Sequence, residues 1–306
     1  MSELRDGFGR KIDYVRIAVT DACNLNCRYC KPQKQACNMP DKERIVRLAG
    51  LFSGMGISKF KITGGEPLLR DDIGEILNGI RPYAQSLTLT TNGILLDKRD
   101  ISAADSVNVS LDSLSRERYA ALTGADVLGR VMRNIAACNK EVHINCVPIK
   151  GVNEDELADI ASLADGSKRI VRFIELMPTH RDGELKGMTS AEVRRRIESE
   201  LGALVPIDKR GNGPAHYFRA QKTGGVIGFI GAVTECFCEE CNRIRVGADM
   251  RLRLCLHHKD SVDLAPILEL DDESAKERLR EIIANKPHDH SGFTDISGKG
   301  LWSIGG

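Results

Sequence analysis

The first two-thirds of the chain alternates between short apolar runs and longer segments with helical periodicity. The apolar runs are rich in β-branched residues and predict six strands, at 14–19, 59–62, 87–90, 107–110, 142–147 and 170–175. Apolar residues recur every three or four positions in the segments between them, at 41–53, 72–80, 127–138 and 154–164. This alternation predicts an α/β fold with parallel strands joined by right-handed crossovers. Six units are too few for a closed eight-fold barrel, so we expect a partial (β/α)6 TIM-like barrel.

The last third has a different pattern and predicts a smaller α+β region. A turn-rich segment at 178–187 leads to a helix near 191–200, strands near 215–220 and 225–230, and a charged helix near 272–284. We expect two units, a barrel core over 1–177 and a C-terminal region over 178–306 that covers the open side of the barrel.

Charge and composition exclude several classes of protein. The 306 residues include 44 basic and 43 acidic side chains, so the formal charge of +1 gives no support for non-specific nucleic-acid binding. The first residues contain no apolar signal segment, and no unbroken apolar stretch reaches the roughly 18 residues that a membrane-spanning helix needs. We therefore expect a cytoplasmic protein with no membrane or nucleic-acid partner.

Polar or glycine-rich segments follow the first four predicted strands. They are CNLNCRYC at 23–30, TGGEP at 63–67, TTNG at 90–93 and SLDS at 110–113. Each alone is typical of a turn, because glycine and asparagine tolerate positive φ. The carboxyl ends of parallel barrel strands meet at one rim, where such folds carry their chemistry. The four segments together therefore predict an active site at that rim.

Three cysteines, Cys23, Cys27 and Cys30, lie in the loop after the first predicted strand. A cubane iron–sulfur cluster normally takes four thiolates, so three would leave one iron open to a substrate or cofactor. The alternatives are a zinc knuckle, a disulfide with one spare thiol, or three ordinary cysteines. Zinc usually takes a complete tetrahedron of nitrogen and sulfur ligands, and none of the seven histidines lies within about a hundred residues. Ten cysteines in a reducing compartment also favour metal ligands over a disulfide framework.

A second group of three cysteines lies in the C-terminal region, at Cys238, Cys241 and Cys255. Cys236 could compete as a ligand, and His257 or His258 could complete a zinc site of three cysteines and one histidine. The spacing of these cysteines alone favours neither an iron–sulfur cluster nor a zinc ribbon. Arg243 and Arg245 favour the cluster, because paired guanidinium groups are suited to an anion such as a phosphate or carboxylate. The alternative for this pair is a solvated basic strand face.

The spacing of Cys23, Cys27 and Cys30, together with the Gly-Gly-Glu-Pro turn, resembles the radical S-adenosylmethionine (SAM) superfamily. The resemblance implies a [4Fe-4S] cluster whose open iron binds the amino and carboxylate groups of SAM. It also implies that the turn and Glu66 hold the amino group. In that superfamily the reduced cluster splits SAM into methionine and a 5′-deoxyadenosyl radical, which abstracts a substrate hydrogen.

Within this superfamily the chain resembles the GTP 3′,8-cyclase family of molybdenum cofactor biosynthesis nearly end to end. The segments that carry this resemblance are RKIDYVRIAVTDACNLNCRYC, KITGGEPLLR, LTTNG, NVSLDSL, RFIELM, FCEECNRIRV and the terminal Gly305-Gly306. The resemblance implies a lyase in which a second open [4Fe-4S] cluster binds the guanine of GTP and basic residues bind the triphosphate. The radical would remove the ribose 3′ hydrogen, and C3′ would then attack C8 to give 3′,8-cyclo-7,8-dihydro-GTP.

The resemblance also implies roles for individual residues. The implied SAM contacts are Tyr29, Gly65, Glu66, Ser110 and Met177, and the implied GTP contacts are Arg16, Lys61, Thr90, His143, Arg243 and Arg245. Catalytic roles are implied for Arg243, Arg245 and the terminal Gly305 and Gly306, which would enter the active site. Lys61 replaces an arginine of many relatives, and His143 replaces a lysine. Lys150 is the alternative triphosphate contact to His143.

The partners implied are GTP as substrate, a reductant such as a flavodoxin or ferredoxin, and the downstream cyclic pyranopterin monophosphate synthase. A homodimer is compatible with the sequence. One alternative function is another two-cluster radical SAM enzyme, such as a peptide-modifying maturase, although these usually carry more C-terminal cysteines. A non-enzymatic electron carrier or zinc-binding adaptor would not explain the Gly-Gly-Glu-Pro turn.

Overall fold

A computed structural model describes residues 3–30, 37–177, 184–208, 211–235, 237–258 and 260–289. The strands are β1 (Tyr14–Ala18), β2 (Lys59–Thr63), β3 (Ser86–Thr91), β4 (Ser106–Ser110), β5 (Glu141–Cys146), β6 (Arg169–Ile174), β7 (Leu204–Ile207), β8 (His216–Ala220), β9 (Val226–Ile230), β10 (Arg243–Val246), β11 (Arg251–Arg253) and β12 (Val262–Asp263). The helices are α1 (Lys42–Gly54), α2 (Ile73–Ile80), α3 (Arg116–Thr123), α4 (Leu128–Ala137), α5 (Leu157–Ala161), α6 (Ser190–Leu201), α7 (Ala265–Leu268) and α8 (Asp272–Ala284).

The six strands predicted in the first two-thirds all form, and consecutive ones pair in parallel from β1 to β6. Their alternating side chains divide into two faces, as the period of two requires. One face carries apolar residues such as Val15, Ile17 and Ile62, which pack with Leu48 and Phe52 of α1 in the main core. The opposite face is largely polar and faces away from those helices, so it is free to form a site.

The sheet extends beyond the six predicted strands on both sides. Its order is β12-β11-β10-β1-β2-β3-β4-β5-β6-β9-β8-β7. Strand β10 pairs in parallel with β1, and β9 pairs in parallel with β6, so eight neighbouring strands run in the same direction. The outer strands β11, β12, β8 and β7 pair antiparallel. Strands from beyond residue 177 therefore continue the same sheet, while the division into units at residue 177 stays a prediction.

Most predicted helices form within a residue or two of the expected bounds, and α8 matches its prediction at both ends. Helix α5 is shorter than predicted, because the chain before it forms a turn in which Glu156 accepts hydrogen bonds from Leu114 and Ser115. Helix α3 was not predicted. It has few apolar positions, and its helical start depends on Ser115, whose Oγ accepts a hydrogen bond from Arg118 N.

Among the residues that the structure describes, no helix is both long enough and apolar enough to cross a membrane.

Candidate functional site

A cavity opens at the carboxyl ends of β1 to β4, where the sequence predicted an active site. Its empty volume, including the open mouth, is about 870 Å³. The lining residues are Cys23, Leu25, Cys27, Tyr29, Cys30, Thr63, Gly64, Gly65, Thr90, Thr91, Asn92, Ser110, Asp112, Tyr119 and Thr123. The cavity thus brings together all three cysteines of the first group and the ends of three neighbouring strands.

The cysteine loop is held in place by backbone hydrogen bonds to the end of α3. Asn26 N donates to Thr123 O at 2.8 Å, and Arg28 N donates to Leu122 O at 2.9 Å. Burial raises the pKa of the Cys27 thiol well above its usual range, and the charges of Asp112 and the neighbouring cysteines add to this effect. Metal binding would reverse this preference, because a bound thiolate gives up its proton.

The Gly-Gly turn packs directly against the chain that leads into the cysteine loop. Gly65 N donates to Thr20 O at 2.8 Å, and Glu66 N donates to Ala22 O at 2.7 Å. A Cβ on Gly64 would lie 2.3 Å from Thr20 O, and one on Gly65 would lie 2.2 Å from Ala22 O. Both positions therefore require glycine, and the turn forms a backbone wall of the cavity.

Glu66 is buried beneath this turn and does not line the cavity. Its carboxylate accepts hydrogen bonds from Leu68 N at 2.9 Å, Thr91 Oγ1 at 2.7 Å and Asn92 N at 2.6 Å. Burial raises the pKa of Glu66 to about 7, although these hydrogen bonds act in the opposite direction. Its visible contribution is to join the turn to the end of β3, so its contact with SAM stays a prediction.

Asp112 lies in the predicted SLDS segment, but the sequence assigned it no individual role. Its Oδ2 accepts a hydrogen bond from the Tyr29 hydroxyl at 2.5 Å, and its Oδ1 accepts one from Val147 N at 2.8 Å. Burial raises the pKa of Asp112 to about 6. Asp112 thereby fixes Tyr29 against the cavity wall. Its signal in the sequence was its place two residues beyond the end of β4.

The remaining residues expected near SAM differ in where they lie. Ser110 lines the cavity, as does Thr90, which was expected to contact GTP. Met177 follows β6 and is not among the lining residues. Its contact with SAM therefore stays a prediction.

Five basic side chains gather on the polar face of the sheet: Arg16, Lys61, Arg172, Arg243 and Arg245. Arg16 lies opposite Lys61 on one side and opposite Arg245 on the other. Burial lowers the pKa of Lys61 well below its usual range, and the positive charges of the four arginines lower it further. The pKa of Arg16 and that of Arg245 are lowered by burial and by neighbouring arginines. Such a concentration of positive charge is suited to a polyanion.

Arg172 is a member of this group that the sequence did not identify. It sits in β6, where its Nε donates to Asn145 Oδ1 at 2.9 Å and its Nη2 donates to Asn108 Oδ1. Asn108 Nδ2 in turn donates to Thr90 Oγ1 at 3.3 Å. A ladder of polar side chains therefore connects the cysteine cavity with the basic residues across the sheet.

His143 lies on the same face, but its ring is engaged with a carboxylate. Its Nε2 forms a 2.5 Å hydrogen bond with Glu141 Oε1. Burial lowers the pKa of His143, and the charge of Arg172 acts in the same direction. Lys150, the alternative contact, forms a 2.7 Å ion pair with Glu192 at the start of α6. Neither side chain is therefore a fixed cation directed at the other basic residues.

The second group of cysteines surrounds the start of β10 and the end of β11. Cys238 and Cys241 share a turn in which Cys241 N donates to Cys238 O at 3.1 Å. Burial acts to raise the pKa of the Cys241 thiol, but the charges of Lys286 and Arg243 outweigh it and lower that pKa. The buried ammonium of Lys286 donates to Leu254 O, next to Cys255. Lys286 therefore links the two parts of the chain that carry these cysteines.

Arg10 and Arg243 complete the surroundings of this group. Arg10 Nη1 donates to Cys238 O at 2.8 Å, and its Nη2 donates to Pro287 O at 2.6 Å. The Arg243 guanidinium lies 5.0 Å from the centre of the Phe237 ring, and its buried Nε has no hydrogen-bond partner within the described ranges. Cys236, Gly305 and Gly306 lie outside the described residues, so their predicted roles are not tested.

The chemistry of the first cysteine group suits an iron–sulfur cluster. Within the part of the chain that is described, no three cysteine, histidine or acidic side chains converge closely enough to share one metal ion. A cluster contacts each thiolate through a different iron, so its ligands need not meet at one point. Three thiols around a cavity with a glycine wall therefore fit a cluster and leave room for a small cofactor beside it.

Comparisons with known proteins agree with this geometry. Residues 17–164 match the Radical SAM superfamily, and residues 169–292 match the family described as Molybdenum Cofactor Synthesis C. The chain is 36% identical over 305 residues to the GTP 3′,8-cyclase of Clostridium perfringens, covering 94% of each protein. It is also 36% identical to the GTP 3′,8-cyclase of Alkaliphilus metalliredigens, covering 99% of this chain and 100% of that protein.

A solved structure shows a related fold at much lower identity. The crystal structure of Streptococcus suis SuiB bound to S-adenosylmethionine gives a TM-score of 0.67 at 15% identity, covering 92% of this chain and 68% of SuiB. At that identity the likeness concerns the fold alone.

Proposed function

The chain belongs to the GTP 3′,8-cyclase family of radical SAM enzymes, and from this premise we propose that it converts GTP into 3′,8-cyclo-7,8-dihydro-GTP. The observation that carries the proposal is the position of five basic side chains on the same sheet face as the cysteine cavity. A triphosphate is the polyanion that such a group would hold beside a radical source. The product would be the first intermediate of molybdopterin biosynthesis.

The proposed radical source is the cavity at the ends of β1 to β4, within a sheet that we propose curves into a partial barrel. Cys23, Cys27 and Cys30 would hold one [4Fe-4S] cluster, and the wall at Gly65 would bring backbone groups close to SAM. When bound, the cluster and SAM supply an electron and a 5′-deoxyadenosyl radical. Tyr29, held by Asp112, would help to close the cavity around the cofactor.

Arg16, Lys61, Arg172, Arg243 and Arg245 would hold the triphosphate. Guanidinium groups suit this task because each donates two parallel hydrogen bonds to phosphate oxygens. Binding would also relieve the repulsion among five neighbouring cations, two of which, Arg172 and Arg245, are buried, and this relief would add to the affinity. Asn108 would orient Arg172, and Thr90 would place the ribose near the cavity.

We propose that Cys238, Cys241 and Cys255 hold a second [4Fe-4S] cluster, whose open iron binds the guanine. The proximity of Arg243 to Cys241 supports this arrangement, because β10 then carries both the base and the phosphate contacts. Catalytic roles for Arg243, Arg245, Gly305 and Gly306, a flavodoxin or ferredoxin as reductant, the downstream synthase, a homodimer and a cytoplasmic location stay predictions.

Anaerobic reconstitution with iron and sulfide tests this proposal. We expect about eight irons per chain and release of 5′-deoxyadenosine from SAM and a reductant that depends on GTP. Zinc in place of iron would contradict the proposal. SAM cleavage that responds to a peptide but not to GTP would instead favour a peptide-modifying maturase.

A further inference from the structure

The hydroxyl of Tyr119 is buried and has no hydrogen-bond partner among the described residues. Tyr119 is 1% exposed and lines the cavity that contains Cys23, Cys27 and Cys30. Leaving such a hydroxyl unpaired costs about 1–3 kcal/mol. A phenylalanine would fill the same space without that cost. The presence of a hydroxyl at this position is therefore explained if a group bound in the cavity accepts its hydrogen bond.

The backbone fixes the position of Tyr119 relative to the cysteine loop. Tyr119 lies one turn before Thr123, and the two residues are joined by a 2.7 Å hydrogen bond from Thr123 Oγ1 to Tyr119 O. Thr123 O accepts the hydrogen bond from Asn26 N, in the middle of the loop. Gly124, at φ +79°, lets the chain turn away while remaining in contact with Asn26. The end of α3 thus holds Tyr119 beside the cysteine loop, in the wall of the cavity.

The charged neighbours of the phenol indicate which acceptor it would meet. Burial raises the pKa of Tyr119, and the charges that act in the same direction are, in order, Cys27, Asp112, Cys23 and Glu66. The carboxylates of Asp112 and Glu66 already accept the hydrogen bonds described above. The cysteine sulfurs are the remaining acceptors of this group, and because Cys23 Sγ already accepts a hydrogen bond from Leu25 N at 3.5 Å, Cys27 is the one that remains.

We propose that Tyr119 donates a hydrogen bond to a sulfur of the first cluster on the side of Cys27 and so raises the reduction potential of that cluster. The inference rests on the proposed function in that Cys23, Cys27 and Cys30 must hold a cluster. A hydrogen bond to sulfur stabilises the reduced form most, because that form carries one more negative charge. Tyr119 would thereby ease the electron uptake that precedes SAM cleavage.

The test is an EPR-monitored redox titration of reconstituted Tyr119→Phe protein. The first cluster is recognised as the one whose signal changes on addition of SAM. We expect its midpoint potential to become more negative at unchanged iron content, and we expect the unfolding free energy of the metal-free variant to be unchanged or higher. Tyr217→Phe is the matched control, because Tyr217 is a buried tyrosine on β8 that does not line the cavity. The midpoint potential of the first cluster in Tyr217→Phe protein should equal that of the wild type.

A second measurement tests the proposal in case Tyr119→Phe protein binds too little iron for a redox titration. In the wild type without SAM, pulsed ENDOR in H2O and D2O should detect an exchangeable proton coupled to the first cluster that the iron-loaded fraction of Tyr119→Phe protein lacks, in addition to that of Leu25 N, which donates to Cys23 Sγ at 3.5 Å. The absence of such a proton overturns the proposal. An unchanged midpoint potential in iron-replete Tyr119→Phe protein also overturns it. If the substitution raises only the KM for SAM, the phenol contacts SAM and the proposal is overturned as well. Wild-type protein that binds no iron at Cys23, Cys27 and Cys30 contradicts the proposed function itself, and with it this inference.

Discussion

Arg245 on β10 lies directly opposite Arg16 on β1, although the two residues come from distant parts of the chain. Two arginines in adjacent register repel each other, and burial together with the charge of Arg16 lowers the pKa of Arg245. Burial and the charges of Arg243 and Arg172 lower the pKa of Arg16. An arrangement that lowers the stability of the free protein is expected where the binding of a ligand of opposite charge offsets that loss. The pair therefore links the C-terminal strand to substrate binding.

Replacing either arginine should weaken GTP binding more than it changes the stability of the protein. Each charge-assisted hydrogen bond is worth about 1.5–3 kcal/mol, so Arg245→Met should raise the Kd for GTP roughly 10- to 100-fold. The unfolding free energy of the metal-free protein should change by less than the binding free energy, because removal of this cation also relieves its repulsion with Arg16 and Arg243. Isothermal titration calorimetry and chemical denaturation measure the two quantities. Arg195→Met, on the exposed face of α6, is the control and should change neither.

Changing His143 to lysine should strengthen GTP binding. Burial lowers the pKa of His143, so its ring is largely neutral near pH 7 and adds little positive charge. A lysine there would add a cation near Arg172 when the triphosphate is bound, and we expect a gain of about 1 kcal/mol, or several-fold in Kd. The gain should be larger at pH 8 than at pH 6, where the histidine itself begins to take up a proton.

Lys150→Met serves as the comparison for this variant. Lys150 is paired with Glu192, so its loss should leave the Kd for GTP unchanged. A loss of affinity in Lys150→Met, together with no gain in His143→Lys, would reverse the assignment of these two positions.

Six strands could be predicted because their apolar runs follow a local period, and the same reasoning located the rim that carries the cavity. The partner of β10 could not be predicted, because its pairing with β1 is a long-range contact. The four residues of β10 do not specify which strand they pair with. Arg172 was hidden within an apolar run. Its charge, on the same alternation as the polar residues of the neighbouring strand, was the available signal. Tyr119 was missed because the helix that places it has a weak apolar pattern.

The metal-free protein should lose stability as the pH rises because of Glu66. Burial raises the folded-state pKa of Glu66 to about 7 from an ordinary 4.5, so the folded state binds more protons between these values than the unfolded state does. The contribution is fully present below about pH 4.5 and is lost as pH rises through about 7. Its size is on the order of 3 kcal/mol.

Chemical denaturation from pH 4.5 to 8 measures this effect. Glu66→Gln should have a flatter pH profile than the wild type, and the exposed control Glu200→Gln should not. Parallel profiles for the wild type and Glu66→Gln would show that Glu66 is not the group responsible.

Adding a methyl group to Gly65 should disrupt the cavity wall. The new Cβ would lie 2.2 Å from the backbone oxygen of Ala22, so the turn and the cysteine loop would have to separate. We expect Gly65→Ala to lose several kcal/mol of stability and to bind iron poorly at the first site. Gly129→Ala, in the first turn of α4 where the nearest atom is 3.7 Å away, should instead leave the stability unchanged or slightly higher. Iron analysis after reconstitution and denaturation curves distinguish the two outcomes.

Substitutions in the two cysteine groups should have different effects on activity. Cys27→Ala should abolish SAM cleavage, because the first cluster loses a ligand. Cys241→Ala should keep about four irons and SAM binding, yet lose the response to GTP. Iron content and the rate of 5′-deoxyadenosine release check both variants. Normal product formation by Cys241→Ala would contradict the division of labour between the two clusters.

The central claim is that a radical formed at the cavity removes the ribose 3′ hydrogen of GTP held by the basic face of the sheet. Incubation of the reconstituted protein with SAM, a reductant and GTP deuterated at C3′ tests it most directly. Mass spectrometry should find one deuterium in 5′-deoxyadenosine, and the cyclised product should have lost its deuterium from C3′. Unlabelled 5′-deoxyadenosine, with the deuterium still at C3′ of the nucleotide, would contradict the claim.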